Sequence, residues 1–219
     1  MTDRKKLTKK VFALLLTATL CITALGSSEA TAASSKNSVA MKAYKSFLAK
    51  KTYKWGVLDE SNKTANYSFA CIDLNKDGVK ELIVINANAS YGDGYCKIFT
   101  YSNRKIKCIT TCTGFDWYKK GKILGMEDAH TGGYWGNYYR LSKSGKLIEK
   151  ASYSGTDMKE YAKNIKHTDG SIYYTSYKIG KKEVSYKTYK KKLSRLLKGK
   201  KTTINYRKNT AVNRKRVLK

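Results

Sequence analysis

The chain of 219 residues contains no proline and only two histidines, and its 16 acids are set against 45 lysines and arginines, for a formal charge of +29. Without proline there is no proline-rich linker, and no fixed-period repeat or low-complexity spacer divides the sequence. The two histidines, His130 and His167, are unconnected in sequence, and no H-E-x-x-H motif, nucleophile elbow or phosphate loop is present. Cys108 and Cys112 in "CITTC" have no second Cys/His pair with which to build a zinc site. Beyond Leu25 no apolar run approaches the roughly 20 residues that span a bilayer.

What the sequence does have begins with "MTDRKKLTKKVFALLLTATLCITALGSSEATAASSKN": a basic leader, an apolar run from Val11 to Leu25, and the small-residue pattern Ala30-Thr31-Ala32. This layout reads as a secretory signal peptide over 1–32, and the expected product is exported, extracellular or cell-wall associated, with no transmembrane span after cleavage. Cys71, Cys96, Cys108 and Cys112 remain. An even number in an exported chain suggests two disulfides, and a hairpin around "SNRK" would set Cys96 opposite Cys112. The alternative is four reduced, buried thiols. The excess of positive charge attracts polyanions, and outside a cell these are anionic wall polymers and glycans; a native nucleic-acid partner is not expected there.

From Asn37, "NSVAMKAYKSFLAKK" places Ala40, Tyr44, Phe47 and Leu48 on one helical face. Short β-rich runs follow, among them "YSFACI", "ELIVIN", "YCKIFTY", "KCITTC", "KILGM", "NYYRL", "LIEKASY" and "SIYYTSYK", separated by Gly, Asn, Asp and Ser clusters. Connections this short leave no room for crossover helices, so the pattern predicts an antiparallel meander. "TDMKEYAKNIK" reads as one helical interruption, with Asp157 as cap and Met158, Tyr161 and Ile165 on one face. Glu183 is the last acid, yet 14 lysines and arginines follow it. Within that tail Ser185 caps a helix carrying Tyr186, Tyr189, Leu193, Leu196 and Leu197, Gly199 stops it, a short "TTINY" strand follows, and a last helix starts after Thr210. The expected fold is α+β: an antiparallel β-meander with an N-terminal helix over 33–183, and a basic helical C-terminal segment over 184–219 packed on the same domain. Exposed Lys190, Lys191, Lys198 and Lys200 are the candidate polyanion contacts.

Against this basic background, "DLNKDGVKEL" (Asp73 to Leu82) gathers three carboxylates, an asparagine and a glycine. Oxygen donors at alternate positions suit a hard cation such as calcium. An EF-hand is excluded, because its twelfth position would be Val84 and the flanking runs look like strands. The segment instead resembles the calcium loops of FG-GAP and integrin-like repeats, in which D-x-[DN]-x-D-G-x-x-[DE] joins two strands. That resemblance implies side-chain ligands from Asp73, Asn75, Asp77 and Glu81 and a carbonyl ligand from Val79, with Gly78 making the sharp turn. A single copy of the motif does not imply a β-propeller. More broadly, "FACIDLNKDGVKEL" and the ending "KNTAVNRKRVLK" resemble uncharacterised secreted Lys/Tyr-rich proteins of Gram-positive anaerobes, a likeness that brings no activity with it. The sequence therefore leads to a secreted, calcium-binding, non-enzymatic module that associates with an anionic cell-wall or extracellular polymer. The alternative is a secreted hydrolase using Glu127, Asp128 or His130 of "MEDAHTGGYWGNYYRL". In the same region Trp117, Tyr118, Tyr134, Trp135, Tyr138 and Tyr139 form a candidate platform for stacking sugars.

Overall fold

The protein is represented by a computed structural model that describes residues 34–56 and 63–219; the leader over 1–32 lies outside the described residues. Helix α1 (34–48) turns Ala40, Met41, Tyr44 and Leu48 to one side, where all four are buried, while Lys42 and Lys45 stay in solvent. The face it covers belongs to the first of two antiparallel sheets. This sheet contains β1 (Tyr67–Ile72), β2 (Glu81–Asn86), β3 (Cys96–Ser102) and β4 (Lys105–Cys112) in chain order. The second contains β5 (Asp116–Tyr118), β6 (Ile123–His130), β7 (Gly133–Leu141), β8 (Leu147–Thr156), β9 (His167–Asp169), β10 (Ile172–Ile179) and β11 (Lys182–Glu183), in the order β11-β10-β8-β7-β6-β5 with β9 against β10.

The fold class is α+β, and the pairing is antiparallel throughout, but the strands divide into two stacked sheets rather than one meander. The reason lies in side chains that a single sheet could not cover on both faces. Leu74, Ile98, Trp117, Leu124 and Leu141 form one buried cluster between the sheets. On the outer face of the first sheet, α1 packs on Phe69, Leu82, Val84 and Phe99. On the outer face of the second, α2 (Tyr186–Leu197) packs Tyr189 against Ile123, Tyr138, Ala151 and Tyr177. The layers thus run helix, sheet, sheet, helix.

The C-terminal residues return to the first sheet. After α2, β12 (Arg207–Lys208) pairs with β1, and α3 (Ala211–Val217) starts at a Thr210 cap. Buried Asn209 donates from Nδ2 to the carbonyls of Leu48 and Thr64, both at 2.8 Å, and Arg214 Nη1 donates to Asn209 Oδ1 at 2.9 Å. Through this clasp the "KNTAVNR" ending joins the end of α1 to the edge of the sheet. Two local expectations fail. Residues 202–206 are not a strand, and pairing begins only at Arg207. Residues 156–166 form no α-helix, only a turn at Lys159–Tyr161, because Met158, Tyr161 and Ile165 stay exposed with no surface to pack on and Asn164 takes a left-handed φ of 56°.

Cys96 and Cys112 are direct cross-strand partners of β3 and β4, and both are free thiols. A hydrogen bond between them holds the Cys112 thiol below its ordinary value and pushes Cys96 up. Burial pushes Cys71 up to about 12, whereas Cys108 is exposed. Alkylation of the native reduced protein near neutral pH should therefore label Cys108 first and leave Cys71 unmodified. Mild oxidation followed by peptide mapping should give a Cys96–Cys112 link; a Cys108–Cys112 link in its place would contradict the register.

Candidate functional site

The hairpin of β1 and β2 pairs from Tyr67↔Asn86 to Ile72↔Glu81, which leaves the acidic segment as its closing loop. Positive φ at Lys76 (62°) and Gly78 (87°) coils this loop so that the side chains at 73, 75 and 77 turn inward. Asp73 accepts through its two oxygens from the N–H groups of Asp77 and Gly78, at 3.2 and 3.1 Å. Asn75 Oδ1 accepts from the Asp77 N–H at 3.1 Å, and Asp77 Oδ1 from the Val79 N–H at 2.9 Å. Lys76 points to solvent, whereas Leu74 is fully buried in the cluster between the sheets.

Two further bonds fix the loop to its surroundings. Asn75 Nδ2 donates to the Ser142 carbonyl in the β7–β8 turn at 3.1 Å, and the Lys80 N–H donates to Asn37 Oδ1 of α1 at 3.0 Å. The loop therefore touches the helix and both sheets.

Glu81 begins the central strand and is 1% exposed. Its carboxylate accepts from the Leu74 N–H at 3.0 Å and from Thr100 Oγ1 at 3.3 Å. Burial raises its pKa to about 8 against these two hydrogen bonds, and the charges of Asp77 and Asp73 push the same way as burial. The ion pairs between described residues, Lys166–Glu183 and Lys201–Asp116, do not reach it. Among the described residues no three His, Cys, Asp or Glu side chains gather tightly enough to cage a metal unaided. Asn75 Oδ1 and the Val79 carbonyl would have to complete the shell, and with them the set is all oxygen, as a hard cation requires.

Glu127, Asp128 and His130 do not form one site. Along β6 alternate residues face opposite ways, so Asp128 and His130 share the side that faces the first sheet while Glu127 lies on the other, bound by the Tyr138 hydroxyl. Tyr91, from the β2–β3 loop, links the first two: its hydroxyl donates to Asp128 Oδ1 at 2.9 Å and its ring stacks on His130 at 5.3 Å. The six aromatic residues are split in the same way. Trp117, Trp135 and Tyr139 lie on the inner face, and Tyr118, Tyr134 and Tyr138 on the outer one, so no single platform of six exists. Trp117 and Tyr138 are in any case buried.

Lys190, Lys191, Lys198 and Lys200 are all exposed on or just beyond α2. Sequence reading missed their neighbours. Gly121 of the β5–β6 turn abuts the end of α2 so closely that a Cβ there would meet the Leu196 carbonyl oxygen at 2.1 Å, and Lys120 lies beside Gly199. Lys119 and Lys120 of "KKGK" thus extend the basic face, although the sequence marks them only as turn residues. Compared with protein-family models, curated proteins and solved structures, the chain finds no match.

The desolvated Glu81 carboxyl has a consequence for stability in chelator. Its folded pKa lies above the ordinary 4.5, so its favourable contribution is complete below 4.5 and is lost as pH rises through about 8. Thermal melts in chelator should therefore fall with pH across that window, and Glu81→Gln should flatten the fall. Identical slopes for wild type and variant would show that this carboxyl is not desolvated in solution.

Proposed function

We propose that the protein is a secreted, calcium-binding, non-enzymatic module that associates through its basic face with an anionic cell-wall or extracellular polymer. The observation that carries the calcium reading is the closure of the central hairpin. Three carboxylates and one asparagine lie in or beside this one loop, and one of the carboxylates is buried with no cationic partner among the described residues. Asp73, Asn75, Asp77 and Glu81 would hold the ion through side chains and Val79 through its carbonyl. Calcium would offset the mutual repulsion of the acids and the desolvation of Glu81. Fixed in this way, the loop would keep Leu74 between the sheets and Asn75 on the β7–β8 turn.

Extracellular calcium modules typically bind at about 10⁻⁴ to 10⁻³ M. Calcium at roughly ten times its dissociation constant stabilises the folded state by about 1.4 kcal/mol. For a domain of this size the melting temperature should rise by about 3 to 6 °C, reversibly with chelator and less with magnesium. Asp77→Ala should abolish the response. Equal melting temperatures in millimolar calcium and in chelator would remove calcium from the reading.

Retention on the polymer is the second test. Exposed charges are screened within about 8 Å at physiological ionic strength, so binding to purified anionic wall polymer should weaken steeply with salt. Neutral glutamines at Lys190, Lys191, Lys198 and Lys200 should lower retention several-fold at low salt. The melting temperature should fall only slightly, because these side chains are exposed and lose no more than the weak helix-end contact of Lys198 and the ring contact of Lys190. Undiminished retention of the variant would exclude this face as the contact.

A further inference from the structure

A cleft of about 430 Å³ opens between the two sheets, away from both the acidic loop and the basic face, and its lining differs from the rest of the molecule. The chain holds 45 lysines and arginines, yet none of the described residues lining this cleft is cationic. One wall is the end of β4 and the turn after it, with the hydroxyls of Thr110, opposite Ile98, and of Thr113; the Thr111 hydroxyl takes a bond from Lys97 Nζ at 2.9 Å on the outer face of the sheet. The other is the inner face of β6 and β7, where Asp128 stands opposite Trp135, and Met126 opposite Asn137, as cross-strand partners. Trp135 is 36% exposed, a large apolar side chain left at the mouth of the cleft.

The polar groups are held in place before any ligand arrives. Asp128 Oδ1 accepts from the Tyr91 hydroxyl and from the Ala129 N–H, each at 2.9 Å, and Oδ2 accepts from Thr113 Oγ1 at 2.9 Å. These bonds come from segments attached to both sheets, so the carboxylate is a fixed acceptor and not a mobile surface charge. Tyr139 and Leu147 pack on the buried cluster between the sheets and supply an apolar floor. A ligand site of this size, with a few placed polar groups on an apolar and aromatic base, suits a small molecule or one segment of a chain.

We propose that this cleft binds a neutral saccharide segment, with a sugar ring stacked on Trp135 and its hydroxyls bonded to Asp128, Asn137, Thr110 and Thr113. The chemistry selects this class. Sugar rings present an apolar C–H face to an aromatic ring and hydroxyls at their edge, and the cleft offers an exposed indole beside the Asp128 carboxylate, one amide and threonine hydroxyls; Glu127 also borders it, with its carboxylate turned to the Tyr138 hydroxyl. An anionic ligand would meet Asp128 with no cation to offset it. A free cation would find one exposed indole and one half-buried phenol, not an enclosing aromatic cage.

The test is a titration of the full chain, in calcium, with a panel of neutral oligosaccharides (tetramers of N-acetylglucosamine, glucose, mannose and galactose), followed by tryptophan fluorescence and calorimetry. At least one should give a saturable response that is the same at low and high salt, whereas retention on anionic polymer through the lysines is salt-sensitive. Either result can therefore fail without the other. Trp135→Ala should weaken the binding at least about tenfold, and Trp135→Phe should recover part of it. Asn137→Ala, which leaves the indole in place, should also weaken it and serves if Trp135→Ala fails to fold. No saturable response to any member of the panel, or binding undiminished in folded Trp135→Ala or in Asn137→Ala, overturns the proposal.

Discussion

A carboxylate buried at the head of the central strand is the constraint around which the first half of the molecule is arranged. Glu81 opens β2, which has β1 on one side and β3 on the other, so it cannot move to solvent without unpairing the middle of the sheet. Its hydrogen bond from the Leu74 N–H ties it to the loop, and Leu74 in turn fills the space between the sheets. The side chains next to it in the loop reach α1 through Asn37 and the second sheet through Ser142. Whatever satisfies Glu81 therefore also fixes the separation of the two sheets. A desolvated carboxylate costs several kcal/mol unless it is neutralised, by a proton or by a cation, and the all-oxygen loop around it is suited to the second.

The distribution of charge follows a related division. Most lysines lie where water screens them, on the outer side of α1, on α2, and on the β5–β6 turn beside its end; buried Lys97 is held instead by the Thr111 hydroxyl and the Trp55 ring. At the C-terminal end of α2, cations also complement the partial negative charge of the free carbonyls, and Arg195 and Lys198 lie in and just past the last turn. The scarce acids gather at places where the backbone or another side chain holds them, as at Asp73, Asp77 and Asp128. A surface of like charges repels itself. Two antiparallel sheets with a shared apolar interior and a helix on each outer face supply the burial that opposes this repulsion.

Much of the fold was legible because the elements that carry it are local. "YSFACI" and "ELIVIN" coincide with β1 and β2, and the Ser185 and Thr210 caps start α2 and α3 as their spacing indicates. Division into two sheets was not legible, since it depends on which strand faces pack together, and alternation along a strand does not say what covers each face. Residues 156–166 have a helical pattern with a capping residue, but a short helix lives on tertiary contact and none is supplied there. In the loop, the spacing of Asp73, Asn75 and Asp77 and their inward orientation could be read, whereas the links to Asn37 and Ser142 could not, because they join residues 43 and 67 positions apart. The same holds for Tyr91, which reaches Asp128 across 37 residues.

The interior connects the two places where the structure concentrates polar chemistry. Leu74, buried by the folding of the acidic loop, belongs to the cluster that also contains Met126, Tyr139 and Leu147 at its margin. Those three side chains line the cleft whose mouth is marked by Trp135. A close-packed cluster transmits displacement, because its side chains have few voids to move into. Opening the loop would withdraw Leu74 from between the sheets and leave the floor of the cleft without one of its supports. The β7–β8 turn adds a second link, since it receives the Asn75 amide at Ser142 and leads into β8 at Leu147. The loop and the cleft are thus separate in chemistry, one built of oxygen donors for a hard cation and the other of an indole with neutral polar groups. They share one mechanical support, so the order of the first bears on the shape of the second.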